Sequence, residues 1–245
     1  MWRAGYALVI HDTSAPTTTR RGMAFADAVF DGAVALEGVT ARLADNSHTL
    51  KEIMDRRAEI PVVTWNFENL LAQLSPDVLV DARMRKRENP EVQLGLAPLT
   101  IGLGPNFTAG KSTDLVVETS WGERLGEVIR KGKALPLAGE PRAIGGFGRE
   151  RFVYACASGV FRTRIDIGAA VKCGENVARI GDTPLFAPLS GMVRGVTRDG
   201  APVSIGTKVI EIDPRGPAAV TRGLGERRRR IAAGVLMLVA ATKRV

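Results

Sequence analysis

The sequence predicts an α/β fold up to residue 148, a small all-β domain over 149–216 and a basic C-terminal helix within 217–245. Three observations carry this. Up to residue 148, short apolar runs alternate with stretches of helical spacing, the alternation that builds parallel sheets. From Arg151 the helical period disappears and glycines recur between short apolar strands. Over 231–241, Ile, Val, Leu and Met return at helical spacing on a background of alanines and a glycine. With 245 residues, 45% of them hydrophobic, the chain has material for one large core or two smaller ones.

Each element follows from its residues. The run 6–10 (YALVI) follows Gly5 and ends at His11-Asp12. Apolar on both faces, it reads as a buried parallel strand. Pro16 and three threonines lead to Arg20-Arg21-Gly22 and an amphipathic stretch over 24–30. Residues 34–42 alternate around Glu37-Gly38, a hairpin pattern. Ser47 caps a helix over 47–57 with Leu50, Ile53 and Met54 on one side. Strand 60–65, amphipathic Phe67–Leu74 and strand 78–82 (VLVDA) are spaced as a βαβ unit. Residues 99–103 and 115–118 read as further strands. The last helix is apolar, and such a helix is marginal alone in water, so it is expected to pack back on the α/β domain.

The β region is internally repeated. Residues 155–181 align with 187–213 at an offset of 32, setting Ser158-Gly159 on Ser190-Gly191, Gly168 on Gly200 and Val171 on Val203. The same offset sets Gly174 on Gly206, Val177 on Val209 and Ile180 on Ile212. The glycines allow the positive-φ turns of tight hairpins. Two halves that cannot close a core alone are expected to pair about a pseudo-dyad. The region resembles the barrel-sandwich hybrid of biotinyl- and lipoyl-type domains. Carriers of that type hold a modifiable lysine on the hairpin joining the halves, and the joining segment 181–189 (GDTPLFAPL) has none. A swinging-arm carrier is excluded, leaving a structural or docking module.

Charge and composition remove other classes. Of the formal net charge of +8, the tail from residue 217 supplies +6 through seven cations and one acid, leaving +2 for the first 216 residues. Aromatics are 5%, so the charged, stacking groove of a nucleic-acid binder is not expected. The arginine run beside an apolar helix also fits an anionic lipid surface, but no run reaches the roughly 18 apolar residues of a membrane span. Membrane attachment is not expected. No signal pattern opens the chain, and the location expected is the cytoplasm. Cys156 and Cys173 cannot form a four-thiolate centre, and with His11 and His48 the only histidines, no metal site is expected.

Several residues are candidates for a ligand site. The loop 102–112 imitates a P-loop, but five residues separate Gly104 from Gly110-Lys111-Ser112 where four are required. Pro105 stands where that register needs glycine, and it has no N–H. A backbone nest for an oxyanion, from Gly102, Gly104, Asn106, Thr108 and Gly110, remains open beside a plain chain reversal. Arg20 and Arg21 follow the first strand and suit a phosphate or carboxylate, or are solvated surface charge. Asp12 sits where a ribose-binding acid or a turn aspartate would stand. Asp81 ends VLVDA before Arg83, Arg85, Lys86 and Arg87, and is read as a site carboxylate or a turn cap. Glu118 and Thr119 are similar in kind. No catalytic nucleophile is assigned.

Several segments then converge. Residues 16–32 (PTTTRRGMAFADAVFDG), 38–42 (GVTAR), 77–83 (DVLVDAR), 101–110 (IGLGPNFTAG), 117–119 (VET) and 212–216 (IDPRG) together resemble the accessory protein family of selenium-dependent molybdenum hydroxylase systems. The match runs in order through nearly the whole chain. It implies a cytoplasmic bacterial protein that assists maturation of a xanthine-dehydrogenase-type client and is not the hydroxylase itself. It also implies a Rossmann-like first domain and a nucleotide or other anionic cofactor fragment as ligand class. The chain departs from the family twice. Members begin with an apolar strand and a glycine-rich loop, whereas residues 1–5 here match the end of the helix that follows. Either the start is set too late or the copy is truncated; as it stands, the resemblance implies a truncated Rossmann-like sheet lacking the loop that would contact phosphate. The family's Arg-Gly-His after Glu-Thr is replaced by Ser120-Trp121-Gly122-Glu123. The alternative function is a nucleotide-dependent enzyme or a selenium/sulfur-transfer catalyst, which would need a nucleophile or an intact dinucleotide loop. Oligomeric state is left open.

Overall fold

A computed structural model describes residues 1–84, 88–137 and 139–242. The fold is mixed α/β with parallel sheets and a C-terminal helix. Two compact units are each built from separated stretches: residues 2–65 with 140–223, and 66–139 with 224 onward. The first sheet-forming region therefore divides at residue 65, and its leading part groups with the β region.

In the first unit, β1 (Ile10–His11), β2 (Ala33–Leu36), β3 (Val39–Leu43) and β4 (Ile60–Val63) form a sheet in the order β1-β4-β3-β2. The β2–β3 hairpin turns on Glu37 and Gly38, with φ of 49° and 76°. Two successive positive φ values match the right-handed twist of the strands, as in a type I′ turn. Helix α2 (Ser47–Arg56) joins β3 to β4, which pair in parallel, Ala41 beside Ile60 and Leu43 beside Val62. The cap is Asn46, one residue before the expected serine; its side chain accepts from the Thr49 amide. All of β4 is buried, which explains its unbroken apolar character.

Two expectations here are corrected. The strand over 6–10 is pared to Ile10–His11, which pairs with Val62 and Val63. The amphipathic stretch over 24–30 is no full helix; a 3-10 turn at Arg21–Met23 precedes the single turn α1 (Ala28–Asp31).

The second unit opens with α3 (Phe67–Leu74), capped by the Asn66 side chain. Its sheet runs β5 (Val78–Asp81), β6 (Leu99–Leu103), β8 (Leu115–Val117) and β9 (Val128–Ile129), the first three parallel. Strands β7 (Thr108–Ala109) and β10 (Gly132–Lys133) make a separate ribbon. The βαβ unit expected over 60–82 is not formed, because β4 and β5 belong to different sheets. Both edges of β4 are already taken, by β1 and β3, so the strand after α3 pairs elsewhere. Helix α4 (Glu226–Thr242) lies against β8 and β9. At their contact a Cβ on Gly234 would sit 2.4 Å from the Gly126 carbonyl oxygen, so only glycine permits this approach.

The region 152–213 completes the first unit with two open four-stranded antiparallel sheets. One runs β11 (Phe152–Tyr154), β18 (Lys208–Asp213), β16 (Gly191–Val196), β13 (Ala170–Val171); the other runs β15 (Thr183–Phe186), β14 (Asn176–Ile180), β12 (Gly159–Arg162), β17 (Pro202–Val203). Their registers repeat at the sequence offset of 32. Gly159 pairs with Val203 as Gly191 pairs with Val171. Phe161 pairs with Ile180 as Val193 pairs with Ile212. Asn176 pairs with Phe186 as Lys208 pairs with Tyr154. One core joins both sheets, with Phe161, Val177, Val193, Val209 and Ile212 almost wholly buried. Neither sheet closes into a barrel. Among the described residues, no helix is long and apolar enough to cross a membrane.

Candidate functional site

Within the first unit a cleft of about 470 Å³ is lined by Arg21, Asp27, Asp31, Asp166, Arg198 and Arg222, and by the β2 edge strand at Val34, Ala35 and Leu36. Arg21 is held by the 3-10 turn, and each of its three nitrogens has an acceptor. Nε donates to the Val196 carbonyl at 2.8 Å, Nη1 to Asp27 at 2.7 Å and Nη2 to Asp166 at 2.6 Å. Arg198 makes a forked pair with Asp31. Burial alone would raise the Asp166 carboxyl; the Ile167 amide and the Arg21 and Arg222 guanidiniums outweigh it and hold it below the usual carboxylate range. Arg222 is different. It is exposed and feels Asp166 electrostatically, yet among the described residues no hydrogen bond or ion pair is formed by its side chain. It is the cleft's available donor for an oxyanion.

The adjacent arginines thus do not act as a pair. Arg20 contributes to a different cluster, donating to Glu211 at 3.1 Å and to the Met23 sulfur. Asp12 follows β1 as a turn residue; its Oδ1 accepts from the Thr13 amide and its own amide donates to the Val63 carbonyl.

In the second unit, Asp81, Gly102 and Val116 stand side by side across β5, β6 and β8. Just beyond lie the carboxyl ends of the parallel strands, the edge where α/β sheets bind ligands. Asp81 is buried and clamped by the Arg83 guanidinium and amide and by Gln93 Nε2 at 2.5 Å. Burial pushes its carboxyl up, but the Arg83 and Gln93 hydrogen bonds win and the net direction is down. Arg85, Lys86 and Arg87, the other cations read around Asp81, lie outside the described residues.

The loop after β6 serves chain reversal and packing. A Cβ on Gly102 would fall 2.2 Å from the Phe107 ring, and one on Gly104 (φ 99°) 2.7 Å from Thr119 Oγ1. Asn106, at φ 73°, donates from its side chain to the Glu88 carbonyl. Of the residues read as an oxyanion nest, three donate their amides within the fold: Gly104 to the Val117 carbonyl, Thr108 to Ser112 Oγ and Gly110 to the Thr113 carbonyl. Lys111 and Ser112 both donate to the Thr108 carbonyl, while Gly102 lies within β6 and Asn106 in the turn that follows. Glu118 is wholly buried and accepts from the amides of Thr119, Ser120 and Leu135, which makes it a strut. Arg227 of α4 donates to the Thr119 carbonyl at 2.9 Å, and burial lowers its pKa against the pull of Glu118.

Sequence reading missed Arg198, Arg222 and the Glu211 cluster. Arg198 and Arg222 lie far from Arg21 along the chain, and Arg222 was visible only as part of a basic tail. Cys156 and Cys173 are free and exposed. No group of three or more metal-binding side chains occurs among the described residues. The hairpin between the two halves turns on Gly181 and Asp182, closed by Ile180 opposite Thr183.

No protein-family model matches the chain. Over 236 residues it is 41% identical to the uncharacterized protein YqeB of Escherichia coli (strain K12), a match covering 96% of this chain and 43% of YqeB. The chain thus spans less than half the length of that relative. The ectoine utilization protein EutE (DoeB) from Ruegeria pomeroyi aligns with 26% of this chain and 22% of its own, at 28% identity and a TM-score of 0.24. A succinylglutamate desuccinylase/aspartoacylase from Rhodobacter sphaeroides aligns with 83% of this chain and 57% of its own, at 15% identity and a TM-score of 0.26. TM-scores this low establish no shared fold.

Proposed function

We propose that the chain is a cytoplasmic accessory protein in the maturation of a selenium-dependent molybdenum hydroxylase of the xanthine-dehydrogenase type. It holds an anionic ligand, a nucleotide or cofactor fragment, at Arg222 in the first-unit cleft, and offers the duplicated β module to its client. On this reading the parallel sheets are Rossmann-like, and 152–213 is a barrel-sandwich-hybrid relative without a carrier lysine.

One observation carries the reading. Three of the segments that resemble the family meet at one edge of one sheet: 77–83 supplies Asp81, 101–110 supplies Gly102 and Gly104, and 117–119 supplies Thr119 against Gly104. The turn at Gly181-Asp182 favours a docking role over group transfer, because neither residue offers a nucleophilic amine.

The test is co-purification. A tagged chain produced in its source cells retains the client hydroxylase before its cofactor is inserted and releases it afterwards. Failure to retain the hydroxylase, when both proteins are present in the extract, overturns the proposal.

A further inference from the structure

On the outer face of the β11-β18-β16-β13 sheet, Glu211 and Asp213 project from alternate positions of β18, away from the core that holds Ile212. Glu211, with 6% of its side chain exposed, receives Arg151 at 2.6 Å, Lys208 at 3.0 Å and Arg20 at 3.1 Å. Asp213, fully buried, receives Arg215 at 2.6 Å. Arg194 of β16 ion-pairs with both only at long range, its Nη1 lying 3.8 Å from Glu211 and 3.8 Å from Asp213, beyond hydrogen-bond reach. A guanidinium carries five N–H donors. Among the described residues none from Arg194 makes a hydrogen bond, and its Nε is buried without a partner, as is Nε of Arg151.

Charge counting sharpens the point. Five cations, Arg20, Arg151, Arg194, Lys208 and Arg215, face the two carboxylates of Glu211 and Asp213, so the cluster carries a surplus of positive charge. A largely buried guanidinium left without a hydrogen bond is costly for a fold to retain. The fold itself does not impose it. At the equivalent place in the other half, Arg162 is half-exposed and ion-paired with Asp199.

We propose that Arg194 is the base of an oxyanion seat, taking a carboxylate or phosphate group that completes the Glu211–Asp213 cluster. The forked guanidinium suits either oxyanion. The seat is separate from the Arg222 cleft and stands whether or not that cleft is filled.

The experiment is thermal unfolding of the full chain at constant ionic strength, titrated with inorganic phosphate, with acetate and with chloride as the control. Saturation with the preferred oxyanion raises Tm by roughly 5 °C, from the linkage of binding to folding. A response to phosphate assigns a phosphate ligand, and a response to acetate alone assigns a carboxylate. Arg194→Met loses the response and unfolds close to the parent without oxyanion, because Glu211 and Asp213 keep their shorter partners Arg151, Lys208 and Arg215. Arg222→Met keeps the response. Arg194→Lys retains the charge without the fork and shifts the titration midpoint at least tenfold. The proposal is overturned by no response to either oxyanion, by an unchanged midpoint in Arg194→Lys, or by Arg194→Met lowering Tm while keeping the response.

Discussion

The two halves of the 152–213 module share their registers and differ in what covers them. In the half built on β12, β14 and β15, the outward residues Val160 and Phe186 are 43% and 52% exposed, and Arg162 and Arg179 point to solvent. At the matching places on β16, β18 and β11 stand Met192, Tyr154, Arg194 and Glu211, and Glu211 gathers Arg194, Arg20 and Arg151 around it. Inward positions are alike because one shared core constrains both. Outward positions differ: one face is covered by a charge cluster, the other leaves apolar side chains exposed.

The comparison predicts equal inward and unequal outward behaviour. The largest effect belongs to the core. Phe161→Ala lowers stability by about 4 kcal/mol, and its counterpart Val193→Ala by about 2 kcal/mol, in urea unfolding. A cost under about 1 kcal/mol at Phe161 breaks the shared-core account.

The outward test follows. Glu211→Gln costs about 3 kcal/mol, because it strands buried guanidiniums, whereas Arg179→Gln at the matching position costs under about 0.5 kcal/mol. Acid sharpens this difference. Burial would raise the Glu211 carboxyl, but Lys208, Arg20 and Arg151 bring it down from 4.5 to about 2. A folded-state pKa below the unfolded value gives stabilisation that is present above pH 4.5 and lost as pH falls toward 2. Over that interval the parent loses stability, and Glu211→Gln shows a flatter pH profile in the same assay.

The smallest effect compares two glycines. A Cβ on either Gly159 or Gly191 would touch the Cγ2 of its partner isoleucine, Ile180 or Ile212, at 3.0 Å. Only Gly191 also meets backbone, the Asp213 carbonyl oxygen at 2.4 Å. Gly191→Ala therefore costs about 2 kcal/mol through this clash, measured as a shift in denaturation midpoint, whereas at Gly159 the backbone φ of 159° rather than a backbone contact resists a side chain. A cost well under about 1 kcal/mol at Gly191 would mean that the β16–β18 approach is not tight.

Much of the fold was legible where local chemistry decides it. The Glu37-Gly38 hairpin, the helix at Phe67–Leu74 and the glycine repeat all follow from turn residues and spacing. The βαβ reading over 60–82 failed because spacing does not say which edge of β4 is free. The site was less legible. Asp81 was read as a carboxylate at a strand end among cations, and it is clamped by Arg83 and Gln93. In the glycine loop, hydrogen bonds within the loop and to β8 take up the amides of Gly104, Thr108 and Gly110. Arg194 carried no sequence signal, since its meaning comes from two carboxylates on a neighbouring strand.

The central claim is that the chain assists another enzyme's assembly. Its most direct test is the molybdenum and selenium content and specific activity of the client hydroxylase, purified from source cells lacking this gene. The account predicts apo-hydroxylase of normal abundance and little activity, restored by the gene in trans. Fully loaded, fully active hydroxylase from those cells would contradict it.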